Sequence, residues 1–440
     1  MNDFKIHIII DKSKKLSQHF LWYLLGFTLM LGLPQLVLFP LSMHILGAET
    51  FGRFLYVLGI VSMVGLAPSK GLTDAFLRSI AHVEQSKKPL FLRTTFVLAI
   101  TLISIIVIPA IFLCLYSKFC IDRTSDISVW IIIIVLAFAA QNLTAVGIID
   151  LAFKRRYALR TFWLSLGNIL MFAAIPGIFF IGQSGLPIGY SAGHISAFLL
   201  LAVFRRKILF SGQMYDLRMA KHIFQTWVIL SLSVLFLLCS RYIHRTVLGT
   251  CVSYEEVSIF FAGTTILELF ILPINVFGLF GYTVLSAHSS AKRFTPRFCY
   301  RYLLVAMLLA IFVYGCISVL SKWPVTFFYP EVAGRALHIM PIMSIGISIS
   351  VFMHVVRPFV MKFSHVRSIF FIGIISFISH IGSALFLIPR FGLMGAAYAY
   401  SIGSGIMGLV WLLFFVARFV FYKNIALDIL TIHKETVYTE

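Results

Sequence analysis

The sequence is dominated by long apolar runs separated by short polar segments. About 20 apolar residues in a helix cross the hydrocarbon of a bilayer, and by this criterion the chain contains twelve spans. Numbered one to twelve, they lie near 18–40, 52–68, 91–116, 127–150, 162–182, 185–204, 223–245, 257–285, 302–320, 337–356, 368–388 and 392–417. Because hydrocarbon offers no hydrogen-bond partners, each span must pair its own backbone groups as a helix. The sequence therefore predicts an all-α, polytopic membrane protein.

Charged residues are too few for soluble domains. They make up 12% of the chain, whereas soluble proteins carry about 25%. A net charge of +20 would suggest a nucleic-acid partner in a soluble protein, but here the basic residues cluster between spans. Such clusters are topology signals, so no nucleic-acid partner is expected.

The basic residues also predict the orientation. With a cytoplasmic N-terminus, 28 of the 36 Lys and Arg residues fall on the cytoplasmic side, as the positive-inside rule requires. The other eight lie outside or at outer span ends: Arg53, Lys118, Arg123, Arg241, Arg245, Lys322, Arg335 and Arg390. Span one is too long for a signal peptide and lacks an A-x-A site, so it is expected to stay uncleaved. Twelve spans then place both termini in the cytoplasm.

The segments between spans hold no soluble domain, so whatever the protein does is expected to happen within the bilayer. After span two, Leu72, Phe76 and Ile80 recur at helical spacing. This pattern fits an interfacial amphipathic helix or a continuation of span two. The six cysteines have no CxxC spacing and no nearby pair of histidines, which predicts neither a metal site nor a disulfide framework. No cofactor is expected.

Two short patterns recur between the halves of the chain. Leu46-Gly47 follows span one and Leu248-Gly249 follows span seven, while a Gly-Leu pair opens span six at 185–186 and span twelve at 392–393. Two anchors at nearly one offset predict a six-plus-six duplication. The predicted division is a cytoplasmic N-terminal segment at 1–17, a first six-helix bundle at 18–207, a cytoplasmic linker at 208–222, a second six-helix bundle at 223–418 and a cytoplasmic tail at 419–440.

Three motifs carry a resemblance to a known family. They are LGAETFG at 46–52, GL at 71–72 followed by RSIA at 78–81, and IPRFGLMGAA at 388–397. With the span count and order, they resemble the polysaccharide flippases, the Wzx-type O-antigen transporters of the multidrug/oligosaccharidyl-lipid/polysaccharide exporter (MOP) superfamily. That family often has an Asp-Arg pair late in span seven, where this chain has Ser240-Arg241.

The resemblance implies a transporter rather than an enzyme. Two bundles would form a V-shaped central cavity that opens alternately to each side of the bacterial cytoplasmic (inner) membrane. The implied substrate is an undecaprenyl-pyrophosphate-linked oligosaccharide, moved to the periplasmic leaflet for O-antigen, lipopolysaccharide or related polysaccharide biosynthesis. The implied partners are this lipid-linked oligosaccharide, membrane lipid, a polysaccharide polymerase and chain-length proteins.

Ionisable residues within spans are costly and are therefore functional candidates. Glu268 is the only carboxylate in the middle of a span. One interpretation is coupling to H⁺ or Na⁺, because burial favours the protonated form of a carboxylate. The other is a hydrogen-bonded Glu268 that only packs.

Arginines are the candidates for binding a pyrophosphate, since guanidinium groups donate in bidentate geometry and stay charged. Arg241 and Arg245 lie one helical turn apart in span seven, and Arg53 lies at the outer end of span two. For Arg245 and Arg53 the alternative is that the side chain reaches outward to the membrane interface. We expect Arg241, the deeper residue of span seven, to matter more than Arg245.

Span ten supplies a further arginine and a histidine. Arg357 is interpreted as an inner phosphate contact, although Pro358 follows it and Arg357 could simply mark the cytoplasmic boundary. His354 in span ten and His380 in span eleven could relay protons or bind an anion. A neutral histidine hydrogen-bonded between helices is the commoner case.

Two other functions compete with flipping. An ion-coupled drug or small-molecule antiporter of the same superfamily should have several carboxylates within the first half, where Asp150 lies at a helix end. A membrane-embedded polysaccharide polymerase or glycosyltransferase should have a larger extramembrane loop with acid and base residues. Neither pattern is present in the sequence.

Overall fold

The computed structural model describes residues 17–417, except 19, 23, 27, 81–82, 121–125, 155, 213–214 and 287–295. Within these residues the chain is almost entirely helical and contains no strand. The predicted N-terminal segment, apart from residue 17, and the whole predicted C-terminal tail lie outside the described residues. The boundaries predicted for the linker and the two bundles stay a prediction.

Nine helices of the described chain are long and apolar enough to cross a membrane. Spans two, three and four are Ala48–Ser79, Lys88–Cys120 and Ile127–Phe153, and spans seven to ten are Leu217–Cys251, Tyr254–Ser286, Pro296–Leu320 and Ala333–Phe363. The other two long helices are Tyr157–Phe204 and Val366–Phe415. The shorter helix Pro34–Leu46 belongs to span one, which includes π-helical turns.

Two of the nine helical segments are helical hairpins, each with two spans joined by a turn. Gly182 (φ 68°) separates spans five and six, and Gly392 (φ 55°) separates spans eleven and twelve. These left-handed conformations favour glycine. A side chain on Gly189 would collide with Ala174, and one on Gly403 would collide with His380, so the two arms of each hairpin pack closely. With span one, the prediction of twelve spans is confirmed.

Span two continues well past its predicted end, as a helix that bends near Pro68. Trp227 of span seven donates from Nε1 to the Pro68 carbonyl at 3.0 Å. Leu72, Phe76 and Ile80 are each at most 2% exposed, because this face packs into the core instead of lying on lipid. The interfacial helix considered for this segment is therefore wrong, and the continuation of span two is confirmed.

The two bundles touch along span two, which crosses to spans seven and eight. We call the face near Ser79, Phe153 and Phe204, where spans two, four and six end, the basic face. At the opposite face, a Cβ on Gly52 would lie 1.8 Å from the Tyr254 carbonyl oxygen, so only glycine allows this approach.

At the basic face an arginine bridges the bundles. Arg78 of span two donates to the carbonyls of Met361 and Ser364, at 2.9 and 2.8 Å, at the end of span ten. Terminal carbonyls of a helix have no partners within the helix and carry its negative dipole end, so a guanidinium suits them. The bundles are therefore in contact at both faces.

Candidate functional site

Span two presents a row of charged residues to the second bundle. Lys70, Asp74 and Arg78 follow one another at intervals of four, which places them on one helical face. Lys70 is exposed, yet it interacts electrostatically with Arg241 of span seven and Arg357 of span ten. Its ammonium group is therefore close enough to these two guanidinium groups of the second bundle to be repelled by them.

This row is not among the sites predicted from the sequence. Lys70 and Arg78 count there among the basic residues on the cytoplasmic side, because the charges lower the hydropathy beyond the predicted end of span two. The four-residue spacing, which continues through Asp74, was the available signal for one helical face.

Span ten contributes Arg357 from within its helix. Pro358 does not end the helix, which continues to Phe363. Both interpretations of Arg357, as a phosphate contact and as a boundary residue, stay predictions. Its guanidinium interacts electrostatically with Asp74 and Lys70.

Arg241 and Glu268, predicted separately, form an ion pair. An Nη2 hydrogen bond joins Arg241 of span seven to Oε2 of Glu268 in span eight. The Arg241 side chain is 38% exposed and that of Glu268 is 17% exposed, so both are reachable by solvent. Ser240, at the position where the flippases often carry Asp, donates its hydroxyl to the Phe236 carbonyl. The acid that contacts Arg241 thus comes from span eight.

Arg245 does not reach outward to the membrane interface, so that interpretation is wrong. The residue is 6% exposed, and its guanidinium lies 4.8 Å from the ring centre of Phe261. Thr264 Oγ1 is 3.5 Å from Nη2. Of the two arginines one turn apart, Arg241 is the accessible one and Arg245 packs behind it against span eight.

The predicted histidines are buried within the second bundle. His380 is 3% exposed and its ring lies 5.2 Å from that of His244 in span seven. Both ring nitrogens of His380 lack a hydrogen-bond partner, as does Nδ1 of His354. His354 is 8% exposed and interacts electrostatically with Arg357 and Arg241. His354 therefore borders the charged residues directly, whereas His380 is linked to them through the rings of His244 and Tyr400.

The structure does not bring Arg53 to the other candidates. It lies at the opposite face, 5.5 Å from the ring centre of Tyr254 and 3.9 Å from Glu49. The Arg53 side chain is 34% exposed. The pair with Glu49 is a weak contact between residues one turn apart.

We define the inter-bundle cluster as Lys70, Asp74, Arg241, Glu268 and Arg357. It contains three cations and two carboxylates. Arg78 and Arg245 border it, so five cations face two carboxylates in this part of the described chain. An arrangement with surplus guanidinium and ammonium groups attracts anions. Among the described residues there is no group of three His, Cys, Asp or Glu side chains arranged to hold a metal ion.

A second ion pair lies away from this cluster. Asp150, at the end of span four, receives two hydrogen bonds of 2.9 Å from the guanidinium of Arg205. Both residues are buried, and Lys154 donates to the same carboxylate at 2.9 Å. Arg205 also donates to the Gly147 carbonyl. This pair fixes the ends of spans four and six at the basic face.

Comparison with known proteins yields a structural match only. No family model and no curated protein matches the sequence. A multidrug resistance MATE family transporter of the MOP superfamily, in an outward-facing conformation, matches with a TM-score of 0.71 and 16% identity over 92% of this chain and 95% of that chain. A MATE protein in complex with MaL6 matches with a TM-score of 0.71 and 15% identity over 92% and 96%.

A third solved structure is a MOP superfamily transporter from Pyrococcus furiosus, with a TM-score of 0.70 and 16% identity over 92% of this chain and 95% of that chain. Its binding pocket is described as having reverse polarity, suggesting a different function. The chain therefore has the fold of MATE transporters of the MOP superfamily. The predicted superfamily fold is confirmed, while its polysaccharide flippase branch is not distinguished by these matches.

Proposed function

We propose that the protein is an alternating-access transporter that exports an anionic, lipid-linked substrate, an undecaprenyl-pyrophosphate-linked oligosaccharide. The observation that carries this proposal is the surplus of cations in the inter-bundle cluster. A pyrophosphate brings several negative oxygens into a space of low dielectric, where they need fixed positive partners. Lys70 of the first bundle interacts electrostatically with Arg241 and Arg357 of the second bundle, which supports a single anion site shared by both bundles.

The placement of these cations suits a substrate that both bundles must hold. Lys70 belongs to the first bundle, whereas Arg241 and Arg357 belong to the second. An anion bound between them would be contacted from both sides whichever face is open. The contacts at Gly52 and at Arg78 close the two faces, so we expect each to break when its face opens.

The proposed orientation places the basic face in the cytoplasm of a bacterial cell, with both termini there. Arg78 would then close the cytoplasmic entrance, and the oligosaccharide would enter beside it. In this proposal, a polysaccharide polymerase and chain-length proteins use the exported substrate for O-antigen synthesis.

A second candidate is an ion-coupled drug or small-molecule antiporter. The solved structures favour it, because one of them is a multidrug resistance transporter. Glu268 is a semi-exposed carboxylate in the space between the bundles and is suited to carrying H⁺ or exchanging Na⁺. The charge surplus opposes it for cationic drugs, since those need unpaired carboxylates.

The test compares the two candidates in cells that lack the gene. We expect the deletion to accumulate lipid-linked oligosaccharide on the cytoplasmic leaflet, and plasmid-borne Arg357→Ala to restore far less transfer than wild type. Arg335→Ala is the matched control, because Arg335 begins the same span and pairs with Glu255 and Glu256 at the opposite face. Normal lipid-linked sugars in the deletion, together with ion-driven drug uptake by vesicles, would favour the antiporter.

A further inference from the structure

Arg241 of the proposed anion site already holds an anion that belongs to the protein. Glu268 offers Oε2 to Nη2 of Arg241, which is the kind of contact that a phosphate oxygen of the substrate would make. Both residues belong to the second bundle. Their pairing therefore does not require the bundles to close.

The ion pair of Arg241 and Glu268 has the features of a contact that a ligand can displace. It consists of one hydrogen bond, whereas the bidentate pair of Arg205 and Asp150 uses two. With 38% of its side chain exposed, Arg241 has N–H groups available to an incoming ligand. Exchanging this carboxylate for a phosphate oxygen keeps the Arg241 guanidinium paired with an anion, and Arg245 stays close to the released carboxylate.

We infer that Glu268 is an internal competitor that occupies Arg241 until a phosphate group of the substrate displaces it. The inference deepens the proposed function and rests on it. Glu268 thereby sets the affinity of the anion site. It weakens binding enough for the substrate to leave after translocation, and it excludes ligands with too little negative charge to displace a carboxylate.

Displacement leaves Glu268 among several charged and titratable neighbours. These are Arg241, Arg245 and Tyr242 of span seven and Tyr400 of span twelve, with Lys70 of span two and His354 of span ten facing Arg241. Arg245 lies on the same helical face as Arg241 and interacts electrostatically with Glu268. A displaced carboxylate therefore still has a cation nearby.

The test measures binding of inorganic pyrophosphate to the full-length protein in lipid nanodiscs by calorimetry at constant pH. Glu268→Gln retains the size of the side chain but loses its charge, so its amide competes poorly with pyrophosphate for Arg241. We expect it to bind about tenfold more tightly than wild type, or about 1.4 kcal/mol. Glu268→Asp keeps the charge on a shorter side chain and should fall between the two.

The matched control is Glu256→Gln. Glu256 belongs to the same span and is paired with an arginine, Arg335, at the opposite face, so its neutralisation should leave pyrophosphate affinity unchanged. Arg241→Ala should reduce affinity in both the wild-type and the Glu268→Gln backgrounds. Thermal unfolding of each variant reports whether it is folded.

The outcomes separate this inference from the proposed function. If wild type binds pyrophosphate through Arg241 but Glu268→Gln and Glu268→Asp bind no tighter, the competitor is disproved and the anion site stands. If neither wild type nor Glu268→Gln binds, the anion site and the inference both fail. A gain in the Glu256→Gln control equal to that in Glu268→Gln would show a general effect of charge and would also overturn the inference.

Discussion

Two ion pairs between spans, one in each bundle, differ in burial and in the number of hydrogen bonds. Asp150 and Arg205 of the first bundle are buried and share two hydrogen bonds, with Lys154 as an additional donor. Arg241 and Glu268 of the second bundle share one hydrogen bond and are open to solvent. A buried charge needs a complete set of partners, whereas an exposed pair tolerates exchange. We therefore expect the first pair to stabilise the fold, whereas the proposed function assigns the second pair to binding.

The largest effect is expected from Asp150→Ala. Removing the carboxylate leaves the buried guanidinium of Arg205 without its charged partner, which typically costs about 3–5 kcal/mol. Thermal unfolding in detergent should show a much lower midpoint, together with a reduced yield of monodisperse protein. Lys154→Ala is the control, because the Lys154 side chain is 54% exposed and its pair should be worth at most about 1 kcal/mol. Equal effects of the two substitutions would contradict a structural role for the buried pair.

A smaller loss of stability is expected from Arg245→Ala. Arg245 is buried against Phe261, and a desolvated cation–π contact contributes about 2 kcal/mol. Arg390→Ala removes a cation–π contact at an exposed site, beside Phe386, and should cost about 0.5 kcal/mol. The comparison uses unfolding midpoints of the purified variants. If Arg245→Ala were as stable as wild type but inactive, Arg245 would belong to the binding site instead.

The number of spans could be predicted from the sequence, because each crossing of the bilayer needs a continuous apolar segment. The length of such a segment can be measured without knowing the rest of the fold. The turns at Gly182 and Gly392 also depend on local chemistry. Each of these residues has a left-handed conformation between two spans, and glycine adopts that conformation most readily. The pairing of Arg241 with Glu268 could not be predicted, because it depends on how spans seven and eight are rotated against each other.

The direction of Arg245 was unpredictable for a related reason. A side chain near a span end reaches the interface only if its helical face points there, and packing on Phe261 turns this one inward. Lys70 and Asp74 were lost from the predicted site because a hydropathy criterion ends a span where charges begin. A helix that lines a polar space between bundles continues beyond that point.

Arg241→Ala should separate stability from transport. Arg241 is 38% exposed, whereas the partners of the Asp150 pair are buried, so the unfolding midpoint should fall less than for Asp150→Ala. Export of lipid-linked oligosaccharide per folded molecule should fall more than tenfold, because a charge-assisted contact to phosphate is lost. Arg241→Lys should recover only part of this, since ammonium cannot donate in bidentate geometry. If Arg241→Ala lowered stability and export together, the Arg241–Glu268 pair would have a structural role, as expected for the Asp150–Arg205 pair of the first bundle.

The smallest effect is expected from Arg53→Ala. Its contact with Glu49 spans 3.9 Å at an accessible position, and its ring contact with Tyr254 is 5.5 Å long, so stability should change by no more than about 0.5 kcal/mol. Export should stay within about twofold of wild type, because Arg53 lies at the opposite face and outside the inter-bundle cluster. The same export assay checks this, with Glu49→Ala as the control for the local charge. A stable Arg53→Ala variant that exports as poorly as Arg241→Ala would extend the binding site to the opposite face. Membership of the inter-bundle cluster would then no longer identify the arginines that bind substrate.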